Sequence, residues 1–262
     1  MGTINIPITV LMISFLLLII PIFLSITYKI GLVRPLLEAV VRMTIQLGLI
    51  GIFLKYLFLW NNPIINVLWL VIMTLIAVFS AVKGSGLKPG KVLIPAFISF
   101  SSVTFIIVFY LNFLVIRIDN VFDARYIIVL GGMLLGNSLR GNIIGISSFY
   151  KSIRKDEKNF MYILSLGASR YEAILPYFRE SIRLALQPTI AAMATMGIVS
   201  LPGMMTGVIL GGASPAVAIK YQIMIMIAIV VSTIASVVLT ILMTIHVCFT
   251  EYGILDHNIF MN

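Results

Sequence analysis

Apolar residues run along this chain in long blocks, and polar residues gather in short breaks between them. A helix needs roughly 20 consecutive apolar residues to cross a bilayer. Seven blocks approach or exceed that length, at about 7–28, 44–60, 64–82, 92–115, 126–149, 187–201 and 216–248. The pattern predicts an all-α, polytopic membrane protein of about seven transmembrane helices, with one transmembrane domain over 1–262. In the break at 29–42, Arg34, Glu38 and Arg42 fall at i, i+4 and i+8, one charged stripe on an interfacial helix that merges into the second block. The other breaks are a charge-poor Asn61-Asn62-Pro63 turn, a Lys/Gly/Pro-rich KGSGLKPGK and a charge-balanced RIDNVFDAR.

The longest break, EKNFMYILSLGASRYEAILPYFRESIR at 157–183, has its own helical grammar. A short amphipathic run, 160–166, stops at Gly167, the residue type that most easily takes the positive φ past a helix end. Ser169-Arg170-Tyr171-Glu172 then fits a capping box, in which side chain and backbone of Ser and Glu satisfy each other. Two helices are expected to meet at an elbow, Leu166 to Ser169, with the second leading into the next span. Either this is an ordinary hairpin in a cytoplasmic loop of about 151–185, or it is a lever that a partner can push.

The sixth block is short. Fifteen residues rise about 22 Å, less than the hydrocarbon core of about 30 Å. The following SLPGMMTGVILGGASP is too apolar for a free external loop and too rich in Gly and Pro for a straight helix. It reads as a broken or re-entrant segment, of the kind tolerated where backbone lines a cavity.

Composition narrows the class. Of 262 residues 61% are hydrophobic and 10% charged, with mean hydropathy +1.14, which excludes a water-soluble domain. The net charge is +9, but 14 of the 18 Lys and Arg fall on one side of the seven-span arrangement. The positive-inside rule then expects the N-terminus outside and the C-terminus in the cytoplasm. The basic excess is thus topological, and no nucleic-acid partner is expected. A single cysteine, Cys248, excludes an intrachain disulfide framework. The first block lacks a basic lead-in and a small-residue cleavage site, so a retained helix is expected. No hydrophilic stretch is long enough for an appended soluble domain.

Candidate chemistry concentrates in two places. The fifth block holds Asn137, Ser138, Arg140 and Asn142, all costly in hydrocarbon, beside two Gly-x-x-x-Gly pairs, Gly132/Gly136 and Gly141/Gly145. These residues either line a path or subunit interface, or mark a buried packing helix. In the broken segment, Pro202, Gly203, Met204, Met205 and Thr206 are candidates for the same path. Met204 and Met205 are either soft thioether ligands for a metal or apolar filler. There is no GxxxxGK[ST] loop, HExxH or CxxC, so no enzyme activity and no bound cofactor are expected of this chain. His246 and His257 have no neighbouring ligand set. No acidic residue falls mid-block, which argues against proton-coupled transport.

GGMLLGNS (131–138), VSLPGMMTG (199–207) with Pro215 and Tyr221-Gln222-Ile223, LSLGAS-x-x-EA, and the Arg-Met-Thr-Ile-Gln-Leu run at 42–47 resemble the FetB-like family. These are ABC-transporter permeases tied to iron export, metal resistance and, in plants, aluminium tolerance. The resemblance covers essentially the whole chain and departs at Val208, where the family pattern has Gln. It implies a multi-pass plasma-membrane permease, working as a homodimer in the lipid bilayer with a separate ATP-binding-cassette subunit that carries ATP and Mg. Leu166-Gly167-Ala168 also resembles the coupling loop of ABC importer permeases, although 159–164 replace its acidic start. That likeness implies that Phe160, Leu164, Leu166, Gly167, Ala168, Ser169, Arg170 and Glu172 couple to the ATPase. An ATPase-independent transporter or channel and a non-transporting membrane scaffold or sensor are the other classes. A small P-loop ATPase encoded next door would favour the ABC reading.

Overall fold

In the computed structural model the described residues are 7–250 and 253–261. The helices are α1 (Ile8–Ser14), continued by a 3-10 turn (Phe15–Leu18) into α2 (Ile19–Thr27); α3 (Val33–Trp60); α4 (Pro63–Gly84); α5 (Pro89–Tyr110), extended by a π-helical turn (Leu111–Ile116); α6 (Ala124–Lys155); α7 (Glu157–Ser165); α8 (Arg170–Thr195); α9 (Gly203–Leu210); and α10 (Pro215–Cys248). Among the described residues there is no strand, only isolated bridges. Several starts are set by local chemistry. Asn62, Asp123, Ser169 and Ser214 each accept a backbone N–H at a helix N-terminus, and Pro63 and Pro215 occupy first-turn positions where a missing N–H costs nothing.

The centre of the bundle is a seam between α6 and α10. Ser138 Oγ lies 2.9 Å from Ser232 Oγ, Asn142 Nδ2 donates to Ser236 Oγ at 2.8 Å, and Tyr150 OH donates to Thr244 Oγ1 at 2.7 Å. Each pair is 94 residues apart. A constant offset means that the two helices run parallel and in register. All six side chains are buried. Glycines permit the approach: a Cβ at Gly145 would sit 2.7 Å from Val237 Cγ1 and 3.3 Å from Ala185 Cβ, and one at Gly141 would collide with Thr233 Cγ2. The second Gly-x-x-x-Gly pair is therefore a packing device. In the first, Gly136 meets nothing within 4 Å; the close contacts are Gly131 against Leu70 and Gly132 against Met73 Cε, at 3.2 Å.

Parallel α6 and α10 require the chain to return between them, and α8 is the returning helix. By length and hydropathy six stretches qualify as membrane spans, and α8 is not among them. Its 26 residues nevertheless rise about 39 Å, enough to cross. This corrects the sixth block: the helix covers Arg170–Thr195, not 187–201. The fifth span likewise runs on to Lys155, and the charged stripe at 34–42 is continuous with the second span in α3, where Arg34 Nε meets Glu38 Oε1 at 2.8 Å. The expected 151–185 loop contracts to a turn at Asp156, the helix α7 and the 166–169 elbow.

Both ends of the bundle are clasped. At one end Asn61, in the left-handed region at φ 40°, donates to Asp123 Oδ2 and accepts from Ala124 N, while Asn66 Nδ2 donates to Phe122 O at 2.8 Å. At the other, basic end the last residues fold back under the helices. Lys88 N donates to Ile259 O at 2.7 Å, Met261 N to Gly86 O, and the Arg154 guanidinium stands 4.6 Å over the Phe260 ring. His257 meets Glu157 there, at 2.9 Å. The stretch 9–27 and α3 lie outside this clasped bundle, with 6% and 0% of their most apolar windows buried; α3 is anchored at its last turns, where Leu57 is buried and the Phe53 ring lies 4.2 Å from that of Trp69, tilted by 36°.

Replacing Gly145 by Leu forces a side chain into Val237 and Ala185, and such overpacking costs about 1–3 kcal/mol. Gly136→Leu, on the same helix but facing open space, gains helix propensity. Thermal unfolding in detergent should show a lower midpoint for Gly145→Leu and an unchanged or raised one for Gly136→Leu.

Candidate functional site

The polar cluster of α6 divides into two faces. Ser138 and Asn142 point into the α10 seam; Asn142 Nδ2 also bonds Ser138 O at 2.9 Å, while its Oδ1 has no hydrogen-bond partner. Asn137 and Arg140 point the other way. With Ile144, Pro188, Thr189 and Met226 they line a cavity of about 420 Å³ between α6, α8 and α10. Asn137 Nδ2 donates to Met133 O at 2.8 Å. No carboxylate among the described residues lies within ion-pair distance of Arg140. A guanidinium without a carboxylate partner, about 24 Å along α6 from Ala124, suits an anionic group.

Met226 belongs also to a second cleft nearer the Asn61 end, of about 440 Å³. Its walls are the end of α8, the turn after it, α9 and the first turns of α10. The broken segment thus stays at that end. Gly197 turns at φ +85°, and α9 packs alongside α10. Pro202 caps α9, and Thr206 Oγ1 donates back to Pro202 O at 3.1 Å. Gly203 faces open space. The Met pair splits: Met205 lines the cleft, while Met204 packs against the core.

The elbow takes the predicted form. α7 ends at Ser165, and Gly167 adopts φ +90° with nothing near its missing Cβ. Ser169 N donates to Glu172 Oε2 at 2.8 Å and Glu172 N donates to Ser169 Oγ at 3.3 Å, so both halves of the capping box form. The Ser169 bonds hold the Glu172 carboxyl below its ordinary value. Phe160 is buried against Tyr177 and Phe249, at 6.2 and 6.1 Å between rings. Leu164 packs partly on the core, and Arg170 Nη2 donates to Thr250 O at 3.3 Å. Ala168 is half-buried. These residues hold the elbow onto the bundle. The outward-facing ones are Tyr162, Leu166 and Tyr171, at 61%, 68% and 68% exposure. Sequence reasoning missed Tyr162 and Tyr171; their positions flanking Leu166 at the helix ends were the available signal.

Residues 8–249 match the family described as "Uncharacterised protein family (UPF0014)". The chain is 33% identical over 226 residues to the probable iron export permease protein FetB of Escherichia coli (strain K12), covering 86% of this chain and 85% of that protein. It is 33% identical over 212 residues to protein ALUMINUM SENSITIVE 3 of Arabidopsis thaliana, covering 78% and 74%. It is 27% identical over 217 residues to UPF0014 membrane protein YjkA of Bacillus subtilis (strain 168), covering 82% and 85%. No solved structure matches.

The turn joining α6 to α7 carries a pH dependence. Hydrogen bonds from Tyr177 OH, at 2.7 Å, and Asn159 Nδ2, at 3.1 Å, hold the Asp156 carboxyl below its ordinary value of 3.8. A lowered carboxyl contributes its stabilisation fully above pH 3.8 and loses it as the pH falls through the lowered value. Hydrogen exchange of the α7 amides, corrected for intrinsic rates, should be faster in Tyr177→Phe than in wild type at pH 6, and the difference should close at strongly acidic pH.

Proposed function

The chain belongs to the UPF0014 family of multi-pass membrane proteins, and on that premise we propose that it is the permease subunit of an ABC exporter. It moves iron or another metal-related cargo with ATP and Mg held by a separate subunit. The observation that carries this reading is the exposed apolar tip Tyr162–Leu166–Tyr171. It lies at the basic end of the bundle, where the Lys and Arg distribution places the cytoplasm. Lipid covers exposed apolar side chains along the sides of such a bundle. At a basic, water-facing end it does not, so an apolar tip on a capped elbow fits a protein groove.

The mechanism follows from α8 being one piece. The capping box fixes its first turn to the elbow, and Thr195 ends it beside the cleft at the opposite end. Closure of two ATP-binding subunits pulls the elbow. α8 then slides along the α6–α10 seam, where Ala185 touches the bare backbone of Gly145. That motion alters the cavity holding Asn137 and Arg140 and the cleft beyond it. A metal carried as an anionic complex would meet the guanidinium at mid-depth. Two permeases pair, one for each ATP-binding subunit. The outward face of α3 offers Arg42 and Gln46, with Gly48 and Gly51 open to close helix approach.

Substituting Leu166 by Glu puts a charge on the tip without touching the elbow's internal bonds. Co-purification with the ATP-binding subunit and cargo-stimulated ATP hydrolysis should both be lost, with the thermal midpoint unchanged. Wild-type transport by Leu166→Glu together with Tyr171→Glu would sink the coupling claim.

A further inference from the structure

The cleft beside α9 has an unusual lining. Four of its ten lining residues are methionines, against 14 in the 262-residue chain, so the concentration is far above the chain's average. They come from separate elements: Met193 from the last turn of α8, Met196 from its C-cap, Met205 from α9 and Met226 from α10. The polar exception is Gln222. It is 6% exposed, its Nε2 lies 3.8 Å from Met196 Sδ, and its Oε1 has no hydrogen-bond partner. A buried amide oxygen without a partner costs free energy unless something enters to satisfy it.

We propose that this cleft binds a soft monovalent metal ion through the thioethers of Met193, Met196, Met205 and Met226 and the amide oxygen of Gln222. Thioether sulfur is a soft donor and selects Cu(I)-like ions over hard cations. Such an ion also carries less charge than Fe(II) into an apolar surround, so its desolvation costs less. The cleft is much wider than a bare ion, but each methionine has three rotatable bonds with which to close on one. No carboxylate, imidazole or thiolate is needed, and among the described residues no cluster of three or more His, Cys, Asp or Glu side chains competes for the ion. The proposal rests on the permease reading for its purpose, since it names a cargo class for the outer part of the path. It does not rest on that reading for its measurement.

The test is calorimetric titration of the purified full-length protein in detergent with Ag(I), in chloride-free buffer and without ATP or any partner. Wild type should bind an equivalent that the quadruple Met193→Leu, Met196→Leu, Met205→Leu, Met226→Leu variant lacks. Gln222→Leu should weaken that equivalent by roughly tenfold or more. Met43→Leu, on α3, and Cys248→Ala, at the basic end, should keep it. If the quadruple variant does not fold, Met205→Leu alone, on the short α9, should still bind more weakly. Retention of full Ag(I) binding by the Met variants overturns the proposal. So does a cleft that takes up a lipid acyl probe which Ag(I) fails to displace. Because the readout needs no ATPase, Leu166→Glu should bind Ag(I) as wild type does even where it abolishes transport, which keeps failure of this site separate from failure of the permease reading.

Discussion

The in-register contact of α6 with α10 is the constraint from which the rest follows. In hydrocarbon there is little hydrophobic drive between helices, so association depends on close packing and interhelical hydrogen bonds. This seam supplies both, with Gly141 and Gly145 opening the backbone and Ser138, Asn142 and Tyr150 bonding Ser232, Ser236 and Thr244. Once the two helices are locked parallel, the intervening chain must travel back. That forces α8 across the bundle, although its sequence carries Arg179, Glu180 and Arg183 near its middle. The charges lie toward the basic end, because Ala185 already sits at the level of Gly145.

A stiff seam beside a single long helix sets what can move. α6 and α10 are tied by buried bonds, and the basic end is further tied by the turn at Phe249 and by residues 253–261. α8 meets α6 with a smooth contact, an alanine on a glycine. Ser181, buried on α8, bonds within its own helix, to Tyr177 O at 2.6 Å. Pro176 and Pro188 each remove a backbone donor, which lets a helix flex at defined points. The structure therefore places a helix with two internal prolines between the elbow and the two clefts, and the hydrogen-bonded α6–α10 pair behind it.

Much of this was legible. The membrane blocks, the elbow and the capping box follow from hydropathy and from Gly167, Ser169 and Glu172, because those signals are local. The polar residues of α6 were legible as a group but not as two groups. Asn137 and Arg140 differ from Ser138 and Asn142 by which neighbour they meet, and helical phase alone does not name the neighbour. The 94-residue pairing is non-local and leaves no mark in any window of the sequence. The extent of α8 was half legible for a related reason: the capping box marked its start, but its charges read as loop and hid that one helix runs on to Thr195. The tail clasp was missed because its tie of Phe260 to Leu87 and Arg154 depends on a turn at the end of α10 that hydropathy does not register.

The two clefts differ in chemistry, and the difference bears on how a charged cargo could cross. A bare cation pays a desolvation cost in any apolar path, and Arg140 adds repulsion at mid-depth. An anion escapes the repulsion but finds only thioethers and one amide at the far end. A metal with anionic ligands is matched by both, first through its ligands at Arg140 and then through the metal at the methionines, with Met226 common to the two cavities. Among the described residues no carboxylate lies within ion-pair distance of Arg140, which fits this arrangement, since a fixed negative charge there would quench the guanidinium and hold a hard cation too firmly to release.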